Sequence, residues 1–472
     1  MRILLCKGQI FGPISGSDET LVTYASQLQR AGHEVSVLLM YLHAEEDQYY
    51  QRLLEADVRV SWIASNLAHT SLGAGRTLAY KLFNLFPASK SLIRRRSLPF
   101  VTGLAARKYK ECRDFMKSLK PDLVHVLTPD PSAMVMIRAG HDSGIPVIYQ
   151  ELGIPYHPPD FESYYRQFTS VLPLCTEVAA LSPKLLEHCR ETLPPSKSFS
   201  ILPIMSEEVV NGNDPHGSAA DRITIGFAAR MEKIKGPMIL LEAFAQAHQS
   251  CGNLSLNIAG DGSQRQKIAA RAKALNVASR YRYHGVYTHP EERRAFMESL
   301  DVFVMPSFSE GTPNSIVEAM ACGKPILASD VGGVADMIGN DAGILVAPGD
   351  VHALADAIGR LAQDRELREQ MGRSAQERYR TLFAPAAVVP LLVETYERVM
   401  RNGAQTSAAS GNGHFHPWRD SMNRKVTSVS VRGGSDLDSR WSTGSGQSSV
   451  ISVVGGLLFG GQQLISWICE NW

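Results

Sequence analysis

"DVFVMPSFSEGTPNSIVEAMACGKPILAS", residues 301–329, reads as strand, polar loop, helix and strand. "DVFVMP" (301–306) and "PILAS" (325–329) are continuous apolar runs, which suit strands buried on both faces of a sheet. Between them Thr312 can cap a helix, Pro313 suits its first turn and Gly323 suits its end. The unit implies a parallel sheet with helices packed on it.

The same alternation runs along most of the chain. Apolar runs at 2–8, 34–40, 122–127, 146–151 and 177–182 precede others at 223–229, 254–260, 301–306, 325–329 and 343–347, with helical periods between them. The expected fold class is therefore α/β, with two doubly wound Rossmann-like domains facing a cleft. Residues 1–205 form the first domain and 222–385 the second. The polar stretch 206–221, "SEEVVNGNDPHGSAAD", has no period and is the expected linker. A C-terminal helix over 386–401 is expected to pack back toward the first domain. Beyond it, 402–472 is Ser/Gly-rich with an apolar end, the composition of a disordered tail.

Composition narrows the function. With 472 residues, 20% charged and a net charge of +1, no global field points to nucleic acid. Seven scattered cysteines without a CxxC pair indicate reduced thiols and no zinc site, as expected of a cytoplasmic protein. No run reaches the ~20 apolar residues that span a bilayer.

The opening stretch places two carboxylates eight positions apart, Glu310 in the loop and Glu318 inside the helix, about 9 Å beyond the cap at about 1.5 Å per residue. The helix mouth offers the amides of Asn314, Ser315 and Ile316, with about half a positive charge, to an anion such as a diphosphate. Carboxylates beside an anion are repelled unless each holds hydroxyls, which suits the sugar and ribose of a nucleotide-sugar. The alternative is a solvated glutamate pair near a helix start. A second loop, "ARMEKIKG" (229–236), leaves Arg230 and Lys235 beyond a strand end, where two cations could neutralise a diphosphate without a metal. Solvated surface charge is the rival reading.

In order and spacing these motifs resemble the family-4 retaining glycosyltransferases (glycosyl transferases group 1) of the GT-B fold. "SEGTPNSIVEAMACGKP" matches the family's Glu-x7-Glu, "ARMEKIKG" its Arg-x4-Lys, "IAGDG" (258–262) its Gly-Asp-Gly turn and "GSDETLVTYASQLQRAGHEVSVL" its glycine loop and first helix. The resemblance covers most of residues 1–400. It implies that Arg230, Lys235 and Glu310 serve catalysis, the first two on the donor diphosphate and Glu310 on the donor sugar. Gly16, Thr312, Asn314, Ser315, Ile316 and Glu318 would bind the rest of the donor, Glu318 through the ribose, and Tyr287 would lie near the base. The donor would be a UDP- or GDP-linked sugar, with no cofactor and no metal, and the acceptor a glycan or lipid-linked hydroxyl.

The chain departs from the family's pattern at Ser17, where a second glycine is common, at Glu151, where a histidine is usual, and at Asp336, where glutamate is usual. Glu151 is a candidate for a sugar or acceptor hydroxyl, against a solvated loop carboxylate. His125 is a second candidate, against the packed, hydrogen-bonded role more common for strand-end histidines. Residues 81–110 carry eight Lys or Arg and no acid among Leu, Phe and Ile, a composition that adheres to anionic membranes. With the resemblance, in which such a surface often serves lipid-linked acceptors, they imply a peripheral enzyme of polysaccharide or glycolipid assembly at the inner face of the plasma membrane; a solvated basic helix pair is the rival reading. The first loop, "GPISGSDE", lacks the GxGxxG of a nicotinamide enzyme. A non-catalytic sugar-nucleotide-binding protein of the same fold is the competing class.

Overall fold

The computed structural model describes residues 1–409 apart from 11–14, 42–46, 65–105, 154–161, 193–197, 207–221 and 288. Nearly all of the 206–221 linker, the basic stretch up to residue 105 and the tail from 410 onward lie outside the described residues.

In the first lobe (the N-lobe) the strands are β1 (Arg2–Lys7), β2 (Glu34–Tyr41), β3 (Arg59–Ala64), β4 (Leu123–Leu127), β5 (Val147–Glu151), β6 (Glu177–Ala180) and β7 (Ser198–Ile201). They pair in parallel in the order β3-β2-β1-β4-β5-β6-β7. The second lobe (the C-lobe) holds β8 (Ile223–Ala228), β9 (Leu254–Ala259), β10 (Tyr281–Tyr283), β11 (Val302–Met305), β12 (Ile326–Ser329) and β13 (Gly343–Val346). Its parallel order is β10-β9-β8-β11-β12-β13. In each sheet the order in which strands are added reverses once, between β1 and β4 and between β8 and β11. Ligands of open α/β sheets bind beyond the strand ends at such points.

All ten expected strands are present. Three others, β3, β7 and β10, were not anticipated, and each lies at an edge of its sheet. Half-exposed edges alternate polar and apolar residues, so "RVSWIA" and "SFSI" carry no continuous apolar run.

The last described helix, Pro385–Ala409, lies on the N-lobe. Val388, Leu392, Tyr396 and Val399 form one helical stripe in the same core as Leu5, Leu21, Val37 and Leu39. Each such buried side chain contributes about 1.5–3 kcal/mol. The helix runs eight residues past the expected boundary at 401, because Ala404, Gln405, Ala408 and Ala409 are helix-compatible and outweigh Gly403.

Candidate active site

A cavity of about 760 Å³ opens between the lobes, within the size range of small-molecule sites. Gly16 and Glu19 line it from the N-lobe, and Arg230, Lys235, Glu310 and Glu318 from the C-lobe.

The C-lobe charges are positioned by backbone fit. Lys235 ends a short turn, Lys233–Lys235, and Gly236 follows at φ 67°. A Cβ at Gly236 would lie 2.0 Å from the Pro306 carbonyl oxygen, so only glycine lets this loop meet the one after β11. Phe308 N–H donates to the Ile234 carbonyl at 2.8 Å and fastens the two loops together. Lys235 Nζ consequently reaches both oxygens of Glu310, at 2.8 and 2.7 Å, and Ser307 Oγ donates to Glu310 at 2.6 Å. An ammonium has three donors, and Glu310 engages two of them. Arg230 follows β8 on the same wall, backed by the 260–262 turn. There Gly260 (φ 119°) lies so close that a Cβ would fall 1.9 Å from the Ala229 carbonyl oxygen. Glu232, from the same loop, receives Ser263 N–H and Oγ at 2.9 and 2.6 Å.

The helix after β11 runs Asn314–Ala321, and Gly323 (φ 64°) ends it as expected. Its N-cap is Pro313, not Thr312. The Thr312 hydroxyl is buried and makes no hydrogen bond among the described residues. Ile316 N–H already donates to the Pro313 carbonyl at 3.1 Å, which removes it from the expected anion donors. Asn314 and Ser315 keep theirs: no backbone hydrogen bond takes these two amides among the described residues. Asn314 Nδ2 instead crosses the cleft and donates to the Gly16 carbonyl at 2.9 Å.

Glu318 is not solitary. Arg293, on the helix Pro290–Glu298, donates to its Oε1 at 3.2 Å, and the Tyr287 hydroxyl approaches Oε2 at 3.3 Å. Burial pushes the Glu318 carboxyl above its ordinary range, with Arg293 pulling the other way. Arg293 also reaches Glu19 of the N-lobe at 3.2 Å, and Arg52 donates twice to Glu19, at 2.7 and 3.1 Å. Burial disfavours the Glu19 charge, yet Arg293 and Arg52 more than offset it and hold this carboxyl at about 2. Glu19, Arg52 and Arg293 escaped the sequence reading, because charges on helices otherwise resemble solvated surface.

Two expected site residues lie elsewhere. His125 is fully buried within β4, its Nδ1 2.8 Å from the Tyr396 hydroxyl of the returning helix, and burial lowers it to about 3. It is a neutral core histidine outside the cavity wall. Glu151 is buried behind that wall, accepting from the Tyr149 hydroxyl at 2.7 Å and Gly153 N–H at 3.2 Å. Its neighbours Leu152 and Gly153 line the cavity in its place, and burial raises Glu151 to about 7.

This fold and this constellation define a two-lobed α/β protein with a charged cleft. Residues 213–378 match the family model described as Glycosyl transferases group 1. The 2-deoxystreptamine N-acetyl-D-glucosaminyltransferase of Streptomyces fradiae is 28% identical over 64% of this chain and 75% of its own. The D-inositol 3-phosphate glycosyltransferase of Streptomyces griseus is 35% identical over 38% of this chain and 41% of its own. Among solved structures, Anabaena Alr3699/HepE in complex with UDP and glucose superposes with TM-score 0.64 at 19% identity, over 84% of this chain and 99% of that one. The sequence of the second lobe thus matches the group 1 glycosyl transferases, and the described lobes share the GT-B fold of the solved structure.

Proposed function

We propose that the protein is a retaining, metal-independent glycosyltransferase that moves a sugar from a UDP- or GDP-sugar to an acceptor hydroxyl. The observation that carries this reading is the helix mouth at Asn314. Two amides without backbone partners and a Thr312 hydroxyl without any, among the described residues, stand there on the wall that bears Lys235 and Arg230. Such a set of donors suits a diphosphate.

In the reaction the bond between sugar and phosphate breaks first, and its electron pair leaves with the diphosphate. Arg230, Lys235 and the Asn314 and Ser315 amides meet the growing charge, while Glu310 orients both Lys235 and the sugar. Glu318 takes the ribose hydroxyls. The acceptor hydroxyl attacks the face the diphosphate leaves, and its proton passes to the departing phosphate oxygen. This course needs no carboxylate base. Its support is that Glu19, Glu232, Glu310 and Glu318, the carboxylates lining the cavity, are all engaged by cations or hydrogen-bond donors.

Glycan or lipid-linked acceptors of cell-surface polysaccharide or glycolipid assembly follow from the basic stretch 81–110. Of its cations, Lys108 pairs with Glu111 at 3.0 Å. No helix of the described residues is long and apolar enough to cross a membrane. Co-sedimentation with anionic but not neutral vesicles is expected, and equal binding to both would remove the membrane role. The main test is a panel of UDP- and GDP-sugars. One donor should slowly release its nucleotide, and the product's anomeric configuration should match the donor's by NMR. Thermal stabilisation without turnover would instead identify a non-catalytic binder.

A further inference from the structure

The charges that close the cleft come from both lobes. One guanidinium nitrogen of Arg293 lies 3.2 Å from Glu19 on the first N-lobe helix and 3.2 Å from Glu318 on the C-lobe helix. Both oxygens of Glu19 are occupied, Oε1 by Arg293, Arg52 and the Thr23 hydroxyl, and Oε2 by Arg52. Glu19 thus has little capacity left for a ligand. The side chains of Glu19, Arg52, Arg293 and Glu318 are only 7%, 16%, 14% and 9% exposed, and their formal charges cancel. A buried ion stripped of its partner is strongly unfavourable, whereas separated and rehydrated ions are not. The set therefore favours two arrangements, lobes together and paired or lobes apart and wet. The bond from Asn314 to the Gly16 carbonyl crosses the cleft between the same two helices.

We propose that Arg293 is a clasp, a positioning residue that couples nucleotide binding at Glu318 to closure of the lobes through Glu19. The coupling to nucleotide rests on the reading that Glu318 receives a ribose; the closure itself does not. Arg293 engages Oε1 of Glu318, while among the described residues Oε2 has only the long contact to Tyr287. A ribose diol can take the Oε2 side and leave the Arg293 bond intact. Nucleotide and closure then reinforce each other, and by linkage each raises the other's stability.

Glu19→Gln and Arg293→Gln, singly and together, test this in the full chain. Small-angle scattering reads lobe separation with and without UDP or GDP, calorimetry reads nucleotide affinity, and circular dichroism confirms folding. Both single variants should be more extended than the wild type. Each should weaken nucleotide binding about tenfold, within the usual span of coupling between sites. The double variant should lose no more than the worse single one, since both break one link. Scattering unchanged from wild type in either folded single variant overturns the clasp whatever happens to affinity, and so do losses that add independently. If the wild type binds neither nucleotide, the donor reading fails, and scattering alone decides: extended variants uphold closure by Arg293 and unchanged ones reject it.

Discussion

The two lobes share a strand order around one reversal point, yet they build opposite kinds of cleft wall. The C-lobe wall is made of side chains set by tight backbone contacts. Lys235 and Glu310 arrive from two loops locked by Gly236 and by the bond from Phe308 to Ile234. The N-lobe wall is lined by small and uncharged residues such as Ser15, Gly16, Ser17 and Gly153, and its two charges, Glu19 and Arg52, are paired with each other. The charges of the C-lobe wall are thus set by backbone fit between two loops, and those of the N-lobe wall by pairing between helices.

Replacing Lys235 by Ala attacks the charged wall directly. Turnover with the best donor should fall about 10²–10³-fold, the usual effect of losing one transition-state donor, in a steady-state assay. Turnover close to wild type would dissolve the contrast between the walls.

The N-lobe wall should instead reveal itself through pH. Glu151 is raised in the folded protein from 4.5 to about 7, so between those values the native state binds more protons than the unfolded one. Its contribution to stability therefore declines as pH rises from about 4.5 to about 7, by on the order of 3 kcal/mol across the window. Glu151→Gln should flatten that part of the stability profile in urea titrations and make the protein relatively more stable at neutral pH. An unchanged slope would place the carboxyl in water.

Backbone fit in the C-lobe is tested by Gly260→Ala, which sets a Cβ against the Ala229 carbonyl at positive φ. A loss of about 1–3 kcal/mol in denaturant unfolding is expected, together with weaker donor binding from the displaced Arg230 loop. The smallest effect belongs to Thr312→Val. Removing a buried hydroxyl that has no partner among the described residues should leave stability unchanged or slightly higher while donor KM rises several-fold, about 1 kcal/mol for one hydrogen bond. A fall in stability with no change in KM would mean the hydroxyl serves the fold.

The contrast between the walls also explains what could be read from the chain. Lys235, Glu310 and Glu318 stand within short motifs next to buried strands, where apolar runs fix position and glycines mark the turns. The N-lobe contribution depends on contacts between residues far apart in sequence. Nothing local distinguishes Glu19 in "GSDETL" or Arg293 in "PEERRAF" from ordinary helix charges, and only folding brings them to 3.2 Å. His125 and Glu151 stayed open in the sequence for a related reason: a strand's sequence gives its ends but not which face a polar residue takes. His125 turns toward Tyr396, more than two hundred residues later. Thr312 missed its cap by one position, since Pro313 adopts the extended backbone of the cap itself.

The returning helix carries a consequence for biogenesis. Leu5, Leu21 and Leu39 leave the ribosome early, but Val388, Leu392 and Tyr396, which complete their core, emerge hundreds of residues later. Completion of the core of the half synthesised first thus waits for the last described helix, and a nascent chain stalled before residue 385 would expose an unfinished apolar face to chaperones.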